Sequence, residues 1–267
     1  MPSFPLTTTD ALGRTVTLPA PPRRIISLVP SQTELLSYLE LDERVVGITR
    51  FCVRPEAWRK EKPIVGGTKQ VNLDRAAALE PDLILANHEE NTPADVEALA
   101  DLAPVYVTDV PAVPDAWAMI RGVGALVNRA EAADRLAAAV EERFDQLDAG
   151  PPVRAAYLIW RDPFMTVGHD TIIHDIMARG GFANVFGDRA RYPEVTLDDL
   201  ARADPEVLLL PDEPFPFPQK DAFSADLRAR MPETRIRFVD GELFSWYGSR
   251  LLETPAYLAD LRAALAR

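Results

Sequence analysis

The sequence predicts an α/β protein built from two similar lobes with mostly parallel sheets, joined by one long, rigid α-helix. Three observations support this prediction. Short apolar runs alternate with amphipathic helical patterns, one helix–proline–strand pattern occurs twice, and an uninterrupted helical pattern separates its two copies. The predicted organisation is an N-terminal lobe at residues 1–127, a connecting helix at 128–150 and a C-terminal lobe at 151–267.

The predicted strands are short apolar runs, and most are followed by turn residues and then by a helical pattern. In chain order they are RIISLV (24–29), VVGI (45–48), DLILAN (82–87), VYVTDV (105–110), AAYLIW (155–160), EVLLLP (206–211) and IRFVD (236–240). Strands that alternate with helices in this way are typical of parallel sheets.

The repeated pattern is LDRAAALEPDLIL in the first half and LDDLARADPEVLLL in the second. A constant offset of about 124 residues aligns Asp74 with Asp198 and Pro81 with Pro205. Each copy predicts a short helix, a proline-containing corner and a buried strand. Because the surrounding order of elements also repeats, we interpret the chain as two similar lobes.

The segment between the copies, NRAEAADRLAAAVEERFDQLDAG at 128–150, is alanine-rich and amphipathic. It has no glycine or proline until Gly150, which is followed by two prolines. At 1.5 Å per residue, about 20 helical residues span about 30 Å and make a stiff connector. The alternative interpretation is a packing helix inside a single domain.

Composition excludes several classes of partner. The formal net charge of −12, from 41 acidic and 29 basic residues, disfavours nucleic acids and anionic membranes, which bind basic surfaces. No run approaches the roughly 18–20 apolar residues of a membrane span. The first residues show no secretion signal, so we expect either a protein that stays inside the cell or one whose leader was removed. The single cysteine, Cys52, excludes an internal disulfide and a cysteine-only metal site.

Ser31 stands at a strand-to-helix junction, where a nucleophilic serine is one possibility. The surrounding residues, Val29 to Thr33, lack the Gly-x-Ser-x-Gly pattern of a hydrolase elbow. Ser31 and Glu34 instead fit a capping box, in which each side chain accepts a hydrogen bond from a free amide of the first turn. We therefore expect Ser31 to begin the helix rather than to attack a substrate.

Neither phosphate loops nor a metal motif is evident. Gly66-Gly67-Thr68-Lys69 lacks the spacing of a phosphate-binding loop, and the three histidines form no His-x-x-x-His pair. A zinc or manganese site assembled by the fold from His88, His169 and Glu242 is a less favoured alternative to solvated or hydrogen-bonded histidines.

Aromatic residues give the strongest functional signal, because they follow predicted strands or lie in crossing loops, where they would form walls for a flat or bulky ligand. These residues are Phe51, Trp160, Phe164, Tyr192, Phe244, Trp246 and Tyr247. Basic side chains beside them would pair with ligand carboxylates or phosphate. They are Arg50, Lys69, Arg161 and Arg250.

Nearly the whole chain, from about Asp10 onward, resembles the helical-backbone solute-binding proteins of ABC importers for cobalamin, ferric siderophores and haem. The stretches that carry the resemblance are RIISLVPSQTELL, VVGITRFCVRPE, VGGTKQVNLDRAAALEPDLILAN, GGFANVFGD, YPEVTLDDLARADPEVLLL and FSWYGSR. They occur in the family's order, and they are specific for the fold but not for the ligand.

The resemblance implies a ligand cleft between the lobes and an acidic residue on each lobe that docks arginines of the permease dimer. By motif, the docking acids are Asp74 and Asp198. In the cobalamin-binding branch aromatics line the cleft, and by motif these carry over to Phe51, Phe164 and Tyr192. Together with residues expected from their positions after strands and in loops, the predicted ligand-binding set is Phe51, Arg50, Lys69, His88, Trp160, Arg161, Phe164, Tyr192, Trp246, Tyr247 and Arg250. No catalytic residue and no catalytic cofactor are implied.

The leading hypothesis is a binding protein that works outside the cytoplasm, where it captures a metal chelate, cobalamin-like or iron-chelate-like, and delivers it to an importer. The cobalamin branch has tryptophans near the positions of Thr68 and His88, and this chain lacks both. The expected ligand class is therefore metal chelates in general rather than cobalamin specifically. The alternatives are a cytoplasmic enzyme or metallochaperone, which the missing leader would suit, and a binder of a bare transition-metal ion.

Overall fold

The computed structural model describes residues 3–219 and 227–266, and these fall into two compact units. Within the described residues, the N-terminal unit comprises Met1–Val110, Pro114–Glu141 and Tyr247–Arg250. The C-terminal unit comprises Pro111–Val113, Glu142–Trp246 and Leu251–Arg267. A short segment near the C-terminus thus belongs to the N-terminal unit.

The N-terminal unit is built on a parallel sheet with strand order β4–β3–β7–β8. Its strands are β1 (Leu6–Thr9), β2 (Thr15–Leu18), β3 (Ile25–Ser27), β4 (Val45–Ile48), β5 (Gly66–Gly67), β6 (Gln70–Val71), β7 (Leu83–Asn87) and β8 (Val105–Thr108). The helices in this part of the chain are α1 (Pro30–Tyr38), α2 (Glu56–Glu61), α3 (Leu73–Ala77), α4 (Pro93–Ala100), α5 (Val113–Leu126) and α6 (Ala130–Asp145). All residues of β3 and β7 are buried, as expected for central parallel strands.

The C-terminal unit has a mixed sheet with a parallel centre, in which β13 pairs with β9 on one side and β14 on the other. Its strands are β9 (Val153–Trp160), β10 (Phe164–Thr166), β11 (Phe182–Asn184), β12 (Glu194–Val195), β13 (Val207–Pro211) and β14 (Arg235–Val239). Strand β11 joins β9 in parallel, whereas β10 and β12 run antiparallel at the edge. The helices are α7 (Ile172–Arg179), α8 (Leu197–Ala203), α9 (Glu242–Ser245) and α10 (Thr254–Leu265).

The first copy of the repeated pattern runs from α3 into β7. The Asn72 side chain accepts a hydrogen bond from the backbone N of Arg75 at 2.9 Å and begins the helix. Glu80 then takes a left-handed conformation with φ of 43°, which turns the chain toward β7. Arg24, next to β3, donates from Nε to the Glu80 carbonyl at 3.0 Å, and the Asp82 carboxylate accepts the backbone N–H of Arg24 at 2.8 Å.

The second copy, from α8 into β13, repeats the main features of this arrangement: a side-chain N-cap, a left-handed residue after the helix, and an arginine that bonds to this corner. Thr196 and Asp199 form a capping box at the start of α8. Asp204 is left-handed with φ of 46°. Arg154 donates from Nε to the Asp204 carbonyl at 3.4 Å, and Glu206 accepts the backbone N–H of Arg154 at 3.0 Å. The sequence repeat is therefore a repeat of local structure.

The predicted helix at 128–150 is shorter than expected and is preceded by a second helix. Asn128 is left-handed with φ of 57° and separates α5 from α6. Helix α6 has 16 residues, which corresponds to about 24 Å, and residues 147–150 are not helical. The N-terminal unit takes this helix up to Glu141 and the C-terminal unit takes it from Glu142.

The predicted capping box at Ser31 is wrong. Val29 is the N-cap of α1, Pro30 occupies the first turn, and no side chain caps the helix. Ser31 is buried, and its Oγ has no hydrogen-bond partner among the described residues. Glu34 forms an ion pair with Arg250 instead, since both its oxygens accept hydrogen bonds from that guanidinium.

Candidate ligand-binding site

The carboxyl ends of the parallel strands in the N-terminal unit lie at one edge of the sheet, the usual place for ligand-binding loops. Phe51 follows β4, and about half of its surface is exposed (52%). The guanidinium carbon of Arg50 lies 5.8 Å from the centre of the Phe51 ring. His88 follows β7, and its Nδ1 lies 3.7 Å from the carboxylate of Asp109, which follows β8.

The loop after β7 is held in place by two asparagines. Asn87 accepts hydrogen bonds from the backbone N–H groups of Glu89 and Glu90 at 2.8 and 3.2 Å. Asn91 accepts the N–H of Asn87 at 2.9 Å and donates to the carbonyl of Thr68 at 2.8 Å. The sequence therefore fixes this loop against the β5–β6 hairpin.

Lys69, at the tip of that hairpin, donates from Nζ to the carbonyl of Glu89. A Cβ on Gly67 would lie 3.3 Å from both the Arg50 and the Phe51 side chains, so glycine lets these side chains rest on the hairpin. Four predicted residues of this unit, Arg50, Phe51, Lys69 and His88, thus belong to neighbouring loops at one edge.

The corresponding edge of the C-terminal unit carries an aromatic cluster. Trp160, the last residue of β9, is 41% exposed. Its ring meets the Phe215 ring edge-on, with the centroids 5.6 Å apart, and Phe215 lies 4.7 Å from Phe217. Phe215 follows β13 and was missed by sequence reasoning, although the alternation of phenylalanine and proline in PFPFP after a buried strand is the signal that marks it.

The other predicted residues of this unit are half-buried. Phe164, on β10, packs against a hydrophobic core cluster that includes residues of β9 and β13. The guanidinium carbon of Arg191 lies 5.7 Å from the Tyr192 ring. Arg161, which follows Trp160, has its Nε 3.7 Å from the carboxylate of Asp162.

Glu213, which follows β13, is a second residue that sequence reasoning missed. Its Oε1 accepts hydrogen bonds from Trp246 Nε1 at 2.8 Å and from Ser245 Oγ at 3.3 Å. Burial, together with the nearby carboxylates of Glu242 and Asp212, raises the pKa of Glu213 to about 7 against the opposing effect of its two hydrogen bonds.

Some predicted ligand residues are buried in the structure. Phe244, Trp246 and Tyr247 are at most 6% exposed, and Arg250 is paired with Glu34. The structure therefore gives these residues packing and ion-pair contacts rather than exposed ligand-facing surface.

No group of three or more His, Cys, Asp or Glu side chains within the described ranges could hold a metal ion, and His88, His169 and Glu242 form no such group there. The ring of His169 hydrogen-bonds the carbonyl of Arg189 through Nδ1 at 2.6 Å. His174 lies in α7, where burial lowers its pKa.

The predicted docking acids stand in equivalent positions on α3 and α8. Both are exposed. Asp198 forms an ion pair with Arg230 at 2.5 Å, whereas no ion pair to Asp74 is found among the described residues. Surface pairs of this kind contribute only about 0–1 kcal/mol.

Comparison with known proteins identifies the family. A model of the periplasmic binding protein family matches residues 25–231. The chain belongs to this family. Among the helices of the described residues, none combines the length and the apolar character that a membrane span requires.

Relatives and a solved structure cover nearly the whole chain. An uncharacterized ABC transporter substrate-binding lipoprotein, YvrC of Bacillus subtilis, is 25% identical over 96% of this chain and 85% of its own length. A vitamin B12-binding protein of Pectobacterium carotovorum is 27% identical over 92% of this chain and 90% of its own. The crystal structure of an ABC-type Fe3+-hydroxamate transport system protein from Saccharomonospora viridis has 24% identity, a TM-score of 0.76, and coverage of 97% of this chain and 99% of that one.

Proposed function

We propose that this binding protein captures a metal chelate, cobalamin-like or iron-chelate-like, and delivers it to an ABC importer from outside the cytoplasm. No catalytic step is part of the proposal. Membership of the periplasmic binding protein family supports it, as do relatives named for vitamin B12 binding and for substrate binding in ABC transport.

The observation that carries the proposal is an exposed aromatic side chain at the carboxyl edge of each sheet. These are Phe51 in the N-terminal unit and Trp160 in the C-terminal unit. Exposing a large aromatic side chain to water is unfavourable unless a ligand or another protein covers it. Such side chains suit the flat, partly apolar faces of a metal chelate. Arg50 and Lys69 add positive charge next to Phe51 for the polar periphery of such a ligand.

The test is a titration of the purified protein with cyanocobalamin, ferrioxamine B and haemin, followed by tryptophan fluorescence corrected for ligand absorbance. We expect saturable quenching by at least one chelate, with Trp160 as the main reporter because it is the exposed tryptophan. Phe51→Ala and Trp160→Ala should each weaken binding at least tenfold. The controls are Tyr38→Ala and Phe238→Ala, which remove exposed aromatics elsewhere (50% and 42% exposed). If all three chelates fail to bind, the proposal is wrong.

We also propose that Asp74 and Asp198 dock arginines of the importer. They are exposed in the first turns of equivalent short helices, and the Arg230 that pairs with Asp198 is itself exposed, so it contributes little to holding that carboxylate. Asp74→Ala combined with Asp198→Ala should abolish uptake of labelled chelate in cells and leave its affinity for the purified protein unchanged. The matched control is Asp148→Ala with Glu233→Ala, and a loss of ligand affinity in the docking double variant would contradict the assignment.

A further inference from the structure

The geometry points to Glu213 as a specificity-determining residue, whose carboxyl group hydrogen-bonds an uncharged amide or hydroxyl group on the periphery of the bound chelate. This inference rests on the proposed function and narrows its ligand class. It favours chelates with peripheral carboxamides or hydroxyls over those that present a free carboxylate at this position.

Glu213 stands at the carboxyl edge of the sheet, in the loop that carries the aromatic cluster. Strand β13 pairs in parallel with β9 and β14, so the residues that follow all three strands meet at this edge. Trp160 ends β9, and its ring contacts Phe215, which is two residues after Glu213. The carboxyl group therefore lies in the same short loop as the exposed aromatic surface.

The hydrogen bonds of Glu213 are one-sided. Oε1 accepts from Trp246 Nε1 and Ser245 Oγ, whereas Oε2 receives no hydrogen bond from any residue that the structure describes. The Trp246 indole is 5% exposed, and it orients the carboxyl group through Oε1. This arrangement leaves Oε2 for a group from outside the protein.

Two acidic side chains act on this carboxyl group, Glu242 on α9 and Asp212, its neighbour in the chain. The buried Tyr157 on β9 also interacts with Glu213, and Asp240 after β14 and Tyr257 on α10 interact in turn with Tyr157; both tyrosines are neutral, because their pKa values are raised. No cation is among the described groups that act on Glu213. A carboxylate from a ligand would therefore meet like charge here, whereas an amide or hydroxyl would not.

A ligand that covers Oε2 removes water from a carboxyl group on which two acids already act, which favours the protonated form. That form donates from Oε2 to an amide carbonyl or hydroxyl of the ligand and keeps Oε1 as acceptor for Trp246. Because the pKa of Glu213 is about 7, about nine-tenths of the group is protonated at pH 6 and about one-tenth at pH 8. Affinity should follow this fraction.

The experiment measures the dissociation constant of dicyanocobinamide, which has a carboxamide periphery, at pH 6 and pH 8. The proteins are the wild type, Glu213→Gln and the control Glu233→Gln, an exposed acid of the same unit. We expect the wild type and the control to bind about tenfold more weakly at pH 8 than at pH 6. Glu213→Gln, which presents an uncharged amide at every pH, should bind at both pH values about as tightly as the wild type does at pH 6.

Haemin, which carries carboxylates, should bind the wild type at least tenfold more weakly than dicyanocobinamide at pH 8. Glu213→Gln should reduce this difference in affinity between the two ligands.

The outcomes separate this inference from the proposed function. If the wild type binds dicyanocobinamide but its affinity does not change with pH, or if Glu213→Gln keeps the pH dependence, the role of Glu213 is wrong and the proposed function stands. Equal affinity of the wild type for haemin and dicyanocobinamide at pH 8 overturns the inferred preference for chelates with uncharged peripheral groups. If neither these probes nor ferrioxamine B bind, the proposed function fails and the inference fails with it.

Discussion

Breaking the ion pair between Arg250 and Glu34 by removing one partner should strongly destabilise the N-terminal unit. Arg250 donates from Nε to Glu34 Oε2 at 3.2 Å and from Nη2 to Oε1, a two-point contact of high directional specificity. The two side chains are only 10% and 18% exposed. Arg250→Met keeps much of the length of the side chain but leaves the Glu34 carboxylate largely buried beside an apolar group.

The expected cost follows from this burial. Removing one partner of a buried ion pair typically costs about 3–5 kcal/mol, because the remaining charge stays desolvated. Since both side chains keep some exposure, we expect the lower end, about 3 kcal/mol. The double variant Glu34→Gln with Arg250→Met removes both charges and should lose less than the sum of the two single variants, with a coupling of about 1–3 kcal/mol.

Urea unfolding at pH 7, followed by far-ultraviolet circular dichroism, measures this directly. The midpoint should move without a change in slope, because the surface exposed on unfolding is the same. Arg59→Met is the control, since Arg59 is exposed on α2. A loss below about 1 kcal/mol for Arg250→Met, or additive single and double variants, would refute the reasoning.

Three further predictions concern other parts of the chain. Burial raises the pKa of Asp10, but hydrogen bonds from Arg14 outweigh this effect, and the net change is a lowered pKa. Asp10→Asn should therefore lower the free energy of unfolding by about 2 kcal/mol at pH 7. Urea unfolding should show the stability difference between wild type and variant shrinking as the pH falls below 3.8, where the wild-type carboxylate takes up its proton. At Gly124 a Cβ would lie 2.1 Å from a methyl carbon of α6, so Gly124→Ala should cost about 1–3 kcal/mol in the same measurement, whereas Gly122→Ala, whose new methyl meets only a tyrosine hydroxyl, should cost less. Cys52 is fully buried, and burial raises the pKa of its thiol; a disulfide reagent should therefore label it only after unfolding, and rapid labelling of the native protein would contradict this.

The sequence predicts the central strands well because their signal is local. VVGI matches β4 residue for residue, and the other predicted strands each overlap an observed strand within a few residues. The hairpin β1–β2 was not predicted, since its threonine-rich strands are partly exposed and lack an apolar run. The short strands β5, β6, β11 and β12 also have no local signal, because their pairing depends on tertiary contacts.

The exposure of the predicted site residues agrees with the sequence where position along a strand decides it and differs where partners come from far along the chain, and their contact with a ligand stays a prediction. Phe51 and Trp160 were predicted from their places at strand ends, and both are exposed. Glu34 was assigned to a local capping box, but its partner lies 216 residues away. Trp246 was predicted to contact the ligand because it is a large aromatic residue, yet its indole is buried against Glu213. No spacing rule finds such distant pairs in a single sequence.

Because Tyr247–Arg250 belong to the N-terminal unit, the two units cannot be separated by cutting the gene at a single point. A fragment cloned to end at Glu141 would lack the arginine that accompanies Glu34, so it should express as a less stable product than its length suggests. A chimera with a relative should likewise exchange residues 247–250 together with the first half of the gene. Recombination with a single crossover would split this unit, whereas two crossovers would keep it whole.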